Sequence, residues 1–265
     1  MPLTTYGETF SLKKLFGQAV ASRTDNYLGL GFGSDLDGIT NEITEAGYAR
    51  VSIPTTDWLV SLGKLSNSQP VYLSSTSTSF GSPTSWGIFD ALTNGNCLFT
   101  GVINPTQEIA ASQQIYFPVG ELNLSLSLIS AGTGMTETWK NNVLGDLVGK
   151  TNITAPTMYV GFSSSTDLET TITGETFTGG YARTLFGSST AVTEISDKAV
   201  TNNVNAITFS VTGDWGTNLV RMFIADDSSA TAAANLIYVA AILTMSPELG
   251  DVVEVAANDF ELTLE

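Results

Sequence analysis

The sequence predicts a mainly β fold: two tandem β-sandwich (jelly-roll-like) domains, residues 1–130 and 131–265, each preceded by a short amphipathic helix. Three observations predict it. Short motifs recur at an offset of about half the 265-residue chain. Segments that alternate apolar and polar residues fill each half, the period of half-buried strands. Gly, Pro, Asn and Asp punctuate those segments at short intervals, as in antiparallel sandwiches.

The repeat comes first because it sets the domain count. Gly47-Tyr48-Ala49-Arg50 returns as Gly180-Tyr181-Ala182-Arg183, at an offset of 133. Upstream, Tyr27-Leu28-Gly29-Leu30 matches Tyr159-Val160-Gly161-Phe162 at 132. Downstream, Ile88 and Asp90 match Ile224 and Asp226 at 136. The closing segment 121–126 matches 259–264 at 138. An offset that drifts in one direction is what small loop insertions produce in an internal duplication.

Each copy opens on a helix pattern. In 9–20, Leu12, Leu15, Phe16 and Ala19 share one face. In the second copy Trp139, Val143, Leu144 and Leu147 repeat the stripe, with Thr136 or Thr138 as N-cap. Helices this short need tertiary packing, and each is expected to cover an open edge or end of its own sheet. Strands follow at 26–31 and 157–162, then at 51–53 and 184–186 after the repeated tetrapeptide. The last segments, 122–128 and 260–265, alternate without a break, one face for a core and one for water. Between the copies, Ser130-Ala131-Gly132-Thr133-Gly134 reads as a flexible tie.

Charged residues make up 14% of the chain and the formal charge is −16. The two halves differ: residues 1–130 hold 10 acids and 5 bases, residues 131–265 hold 16 acids and 5 bases. Nucleic acid is excluded as a partner, since phosphate contacts need clustered Lys and Arg, and Lys13-Lys14 is the only basic pair. No membrane partner is expected, because no apolar run of about 18 residues is present. Lys13-Lys14 also stands where a signal peptide would need an apolar centre, so synthesis in a cytosol without Sec-type export is expected.

Chemistry is sparse. The chain has no histidine, which removes Ser-His-Asp and Cys-His nucleophiles and imidazole metal sites. Its lone Cys97 lies in an apolar run and reads as a small core residue. Gly29-Leu30-Gly31-Phe32-Gly33 lacks the helix and lysine of a phosphate cradle. Asp35-Leu36-Asp37-Gly38 begins like a calcium loop but has Ala46 where the twelfth-position Glu belongs, so it reads as a polar turn. Asp226-Asp227 is likewise a turn entry. No cofactor, metal or catalytic residue is expected.

Gly47, Tyr48, Ala49, Arg50 and their counterparts Gly180, Tyr181, Ala182 and Arg183 are the residues the sequence singles out. Glycine permits a turn, tyrosine buries a ring while its hydroxyl finds a partner, and arginine grips a carboxylate. A recurring internal clamp is the structural reading. An exposed contact residue is the functional one.

The motifs run in a shared order: Tyr27-Leu28-Gly29, Gly47-Tyr48-Ala49-Arg50, Trp86-Gly87-Ile88-Phe89-Asp90-Ala91 and, in the second copy, Thr212-Gly213-Asp214-Trp215-Gly216-Thr217. That order resembles the tailed-phage virion structural proteins often labelled tail fibre proteins, here as a tandem duplication. The resemblance implies a non-enzymatic virion protein whose partners are other virion proteins, the major capsid protein or tail proteins, with homo-oligomers on the particle. Two compact units without a shaft favour capsid cement or decoration over a tail, collar or baseplate fibre. A carbohydrate-binding module is the other class, and would use exposed aromatics such as Trp58 or Trp86. A glycosidase would need a carboxylate pair that no spacing marks.

Overall fold

A computed structural model describes residues 3–126 apart from 22 and 24. It also describes 133–264 apart from 167, 169, 170, 176, 177, 196, 197, 216, 217, 233 and 234. Most of the expected tie, together with Gly216-Thr217 and Ser127-Leu128, lies outside the described residues.

The first half starts with α1 (Thr5–Leu15), then β1 (Asp25–Asp35), β2 (Gly38–Glu42), β3 (Val51–Pro54), β4 (Trp58–Ser61) and β5 (Lys64–Asn67). It continues with β6 (Val71–Ser74), β7 (Ser85–Phe89), β8 (Cys97–Val102), β9 (Gln114–Phe117) and β10 (Asn123–Ser125). The second half starts with β11 (Gly134–Met135), α2 (Glu137–Leu147), β12 (Tyr159–Ser163), β13 (Thr184–Leu185), β14 (Thr193–Ile195) and β15 (Lys198–Asn202). It ends with β16 (Ile207–Ser210), β17 (Leu219–Ala225), β18 (Leu236–Met245), β19 (Val252–Val255) and β20 (Glu261–Leu264).

Helix α1 begins at Thr5, four residues before the stripe suggested, because Thr4 caps it: its hydroxyl accepts from the Gly7 N–H at 3.1 Å. Glu8 in the first turn and Lys13 and Lys14 in the last complement the helix dipole. Gly17, at φ +67°, ends the helix, and Gly149, at φ +71°, follows α2 in the same place. Thr136 holds the N-cap position of α2 without a side-chain cap bond, its hydroxyl donating instead to the Leu236 carbonyl at 2.6 Å.

The chain is mainly β. Among the described residues the strands of each half are divided among three antiparallel sheets. In the first half these are a five-stranded sheet (β2-β1-β7-β8, with β3 also on β1), a three-stranded sheet (β10-β5-β4) and the ribbon β6-β9. The second half has β11-β18-β17-β12-β13, β14-β15-β20 and β16-β19, with β11 on β18 as the fifth strand where the first half has β2 on β1. A jelly roll would instead set eight strands in two facing sheets, and this strand order does not spell out two of them. Alternation fixes which face of a strand is buried, but not which strand it pairs with.

The registers agree between halves. Tyr27, Leu28 and Gly29 face Phe89, Ile88 and Gly87; Tyr159, Val160 and Gly161 face Ala225, Ile224 and Phe223. Asn67 and Asn203 occupy equivalent strand ends, each side chain accepting from the closing strand (Leu122 N or Phe260 N) at 2.9 Å. The principal hydrophobic core is one continuous cluster that draws on both halves, from Leu3 to Leu264. Each helix covers strands of the opposite half as well as its own: α1 lies on β8, β14 and β15, and α2 on β18, β4 and β5. No helix is long and apolar enough to cross a membrane.

Candidate functional site

The repeated tetrapeptide sits on the turn into β3 in the first half and β13 in the second. Tyr48 and Arg50 point inward and Ala49 outward, the strand alternation already under way. Arg50 grips Glu42 with two bonds, Nε to Oε1 at 2.8 Å and Nη2 to Oε2 at 2.7 Å. Its Nη1 donates to the Ala91 carbonyl at 2.9 Å, and its guanidinium lies 3.4 Å from the centre of the Phe89 ring. The Tyr48 hydroxyl donates to Glu42 at 3.0 Å and accepts from the Leu30 N–H at 2.8 Å.

The second half repeats this. Arg183 grips Glu175 at 2.9 and 2.6 Å and donates to the Asp227 carbonyl at 2.7 Å. Tyr181 donates to Glu175 at 2.8 Å and accepts from Phe162 N at 2.9 Å. The second clamp is the drier one: the Arg183 and Glu175 side chains are 0% and 1% exposed, against 8% and 27% for Arg50 and Glu42. Burial raises the pKa of both tyrosines, and the neighbouring glutamates add to the rise.

Gly47 (φ +87°) and Gly180 (φ +73°) have a double reason to be glycine. A Cβ on either would fall 2.0 Å from Thr76 Oγ1 or 1.9 Å from Thr212 Oγ1. Chemically the clamp is closed: carboxylate, guanidinium and phenol satisfy one another, so it holds β2 or its counterpart segment against the next turn. The glutamates were missed in the sequence, although Glu42 and Glu175 both stand eight residues before their arginine.

The other sequence candidates are turns and core. Asp35 Oδ1 accepts from Asp37 N and Gly38 N at 2.9 and 3.1 Å, tying the β1–β2 hairpin. Asp227 Oδ1 accepts from Ser229 N and Ala230 N, both at 2.7 Å, and these amides lower its pKa. Gly29, Gly31 and Gly33 lie within β1. Cys97 is 4% exposed and burial pushes its thiol up to about 12, an inert state. Trp58, Trp86 and Trp215 are at most 1% exposed, so none of them offers a stacking face. Among the described residues no group of three or more His, Cys, Asp or Glu is placed to hold a metal.

The second constellation, unforeseen in the sequence, is the seam between the halves. Its contacts come in matched pairs. The Gly63 N–H at the head of β5 is capped by Asn141 of α2 at 2.9 Å; the equivalent Ala199 N–H at the head of β15 is capped by Glu8 of α1 at 3.1 Å. After α1, Gln18 donates to the Thr190 carbonyl at 2.9 Å; after α2, Lys150, at the equivalent position, donates to the Trp58 carbonyl. Where the helices meet, Lys14 lies 3.6 Å from Asp146.

Two halves with the same sheets, clamps and helices reflect one ancestral unit used twice. The model of a known family, the podophage GP4 fiber I protein gp80, matches the chain twice in succession, over residues 2–125 and 134–263. The chain belongs to this family. It is a virion component carrying two fiber I units in tandem. Each fiber I match contains one complete clamp, Glu42 to Arg50 or Glu175 to Arg183. No curated protein matches the chain.

Proposed function

We propose that the chain is a non-enzymatic building block of a podophage tail fibre apparatus, contacting other virion proteins. Residues 1–130 and 131–265 are its two β-sandwich-like units. The observation that carries this reading is the pair of consecutive matches to a fiber I model. Both helices are 11 residues long and packed between sheets, so neither makes a shaft. The chain then serves as a compact adaptor or knob, with any shaft supplied by other chains. The family match, and not the lack of a shaft, favours the fibre reading over capsid cement. Immunogold or tag-directed electron microscopy of virions decides between them. Label confined to the tail, in a few copies at multiples of three or six, supports the fibre; label over the head in hundreds of copies refutes it.

A second reading, contact with a host glycan, has one observation in its favour. Tyr72 and Tyr116 face each other across β6–β9, 48% and 52% exposed, with ring centroids 5.2 Å apart. Beside them Gln114 donates to Ser74 at 2.9 Å. At the matching positions of β16–β19 stand Thr208 and Glu254, so the ribbon itself does not require the rings. Aromatic faces next to amide and hydroxyl groups suit a sugar ring. Glycan-array binding by the intact chain, lost in Tyr72→Ala/Tyr116→Ala, supports this reading; no binding by the intact chain removes it.

A further inference from the structure

We infer that the seam is a dimer interface closed inside one chain, and that Lys14 and Asp146 make it selective, so that the first unit pairs with the second and not with another copy of itself. The inference rests on the tandem geometry and is independent of where the protein sits on the virion.

The first argument is reciprocity. Each unit gives its helix to the other: the bonds from Gln18 and Lys150 to Thr190 and Trp58 are related as in an isologous dimer, where contact i-to-j implies j-to-i, and the equivalent Gly63 and Ala199 N–H groups are both capped from the opposite helix, by its fifth residue Asn141 and its fourth residue Glu8. The second argument is position. Lys14 is the tenth residue of α1 and Asp146 the tenth of α2, since Thr5 and Glu137 open the two helices. A position that meets its own equivalent lies at the two-fold centre of such an interface. In any pairing of like units it faces a copy of itself.

Here that position holds opposite charges. Lys14 and Asp146 are 21% and 4% exposed, and Lys14 also donates to Asn152 of the second unit at 3.0 Å. Two first units would set Lys14 against Lys14; two second units would bury Asp146 against Asp146. Like charges in a partly buried contact disfavour both assemblies. Steric fit points the same way. Gly63 leaves room for the Lys140 stem of α2, since a Cβ at 63 would sit 3.3 Å from Lys140 Cδ. The equivalent residue in the second unit is Ala199, whose methyl would press the Lys140 stem by a few tenths of an ångström. The closed chain keeps both helices in use, and assembly with further copies or other virion proteins falls to its outer surfaces.

The test uses the full chain with a specific protease site inserted in 127–132, cleaved after folding. The two fragments are expected to stay together as a 1:1 complex at micromolar concentration by size exclusion with light scattering. Lys14→Glu, at the more exposed partner, is expected to weaken fragment association by about tenfold or more, since it sets Glu against Asp. Adding Asp146→Asn, which keeps an acceptor for the Ile153 N–H now bound at 2.9 Å, is expected to recover most of that loss. Separation of the cleaved parent into two folded monomers overturns the interface. Unchanged association in Lys14→Glu, or no recovery in the double variant, overturns the selectivity. If Lys14→Glu does not fold, the neutral Lys14→Met replaces it, with a smaller loss and partial recovery from Asp146→Asn as the expected pair of results, since Met leaves the buried Asp146 carboxylate unpaired.

Discussion

Phe89 and Phe223 put a phenyl ring over the same glycine of the repeat from strand positions two residues apart. Phe89 faces Tyr27 and Phe223 faces Gly161; at the swapped positions the halves carry Gly87 and Ala225. A Cβ on Gly29 would lie 2.9 Å from the Phe89 ring, and one on Gly161 2.4 Å from the Phe223 ring. Positions i and i+2 of a strand share a face, so the ring can change position and keep its volume. Both rings also pack against the clamp arginine, at 3.4 and 5.1 Å.

That exchange predicts compensation within β17. Phe223→Ala should cost about 3–5 kcal/mol as a large-to-small core change. Adding Ala225→Phe, the arrangement of the first half, should return a measurable part of the loss in urea denaturation. A double variant less stable than Phe223→Ala alone would show that the two positions do not share a volume.

The glycines that open the clamps should be intolerant. Gly47→Ala and Gly180→Ala combine a left-handed backbone with a contact of 2.0 or 1.9 Å to a threonine hydroxyl. A loss of at least about 1–3 kcal/mol is expected from the backbone alone. Asn tolerates the backbone conformation but not the contact, so Gly47→Asn should still be destabilised. Thermal melts that leave these variants within a degree of the parent would remove the argument.

The two clamps should differ in strength. Arg183→Met leaves Glu175, 1% exposed, as an uncompensated buried carboxylate, for which about 3–5 kcal/mol is expected. Arg50→Met should cost less, because water reaches the 27%-exposed Glu42. In the second half, adding Glu175→Gln to Arg183→Met should recover stability. Equal losses at the two arginines, measured by chemical denaturation, would contradict the burial argument.

Stability should fall on the alkaline side. Burial holds the Cys97 thiol at about 12 against 9.0, and raises the Tyr48 and Tyr181 phenols above 10.0. The unfolded chain releases these protons first. Their contribution is therefore complete below about pH 9 and is lost as pH rises through the folded values. Differential scanning fluorimetry should show Tm dropping from about pH 9 upward, with a shallower slope between pH 9 and 10 in Cys97→Ala. A Tm that stays flat to pH 11 would be incompatible with buried neutral groups.

Much of the local structure was legible. The sequence offers Thr136 or Thr138 as the N-cap of α2, and Thr136 holds that position; alternation marks the strands at 26–31, 51–53, 157–162 and 184–186, because strand faces depend on neighbours within a few residues. The clamp was legible in part: the arginine and tyrosine stood out as a repeated word, while Glu42 and Glu175 did not, since a lone acid upstream of a turn carries no periodic mark. The start of α1 was set by Thr4, whose hydroxyl also donates to the Cys97 carbonyl at 2.5 Å, a partner 93 residues away. Tyr72 and Tyr116 carry no distinguishing mark in the sequence. Their exposure follows from which side of β6–β9 meets the core.

By itself the sequence determined that the protein is a duplicated β-rich chain with paired turn-and-clamp motifs, because repeats and period-two patterns are written in residue order. It also settled the absence of histidine chemistry. Only the tertiary structure decided that the strands sort into three small sheets per half and that each helix crosses to the other half. Those outcomes depend on burial between segments far apart in the chain, such as Glu8 on Ala199, 191 residues away, and Asn141 on Gly63, 78 residues away. An amphipathic stripe specifies that a helix must be covered. It does not specify which half covers it.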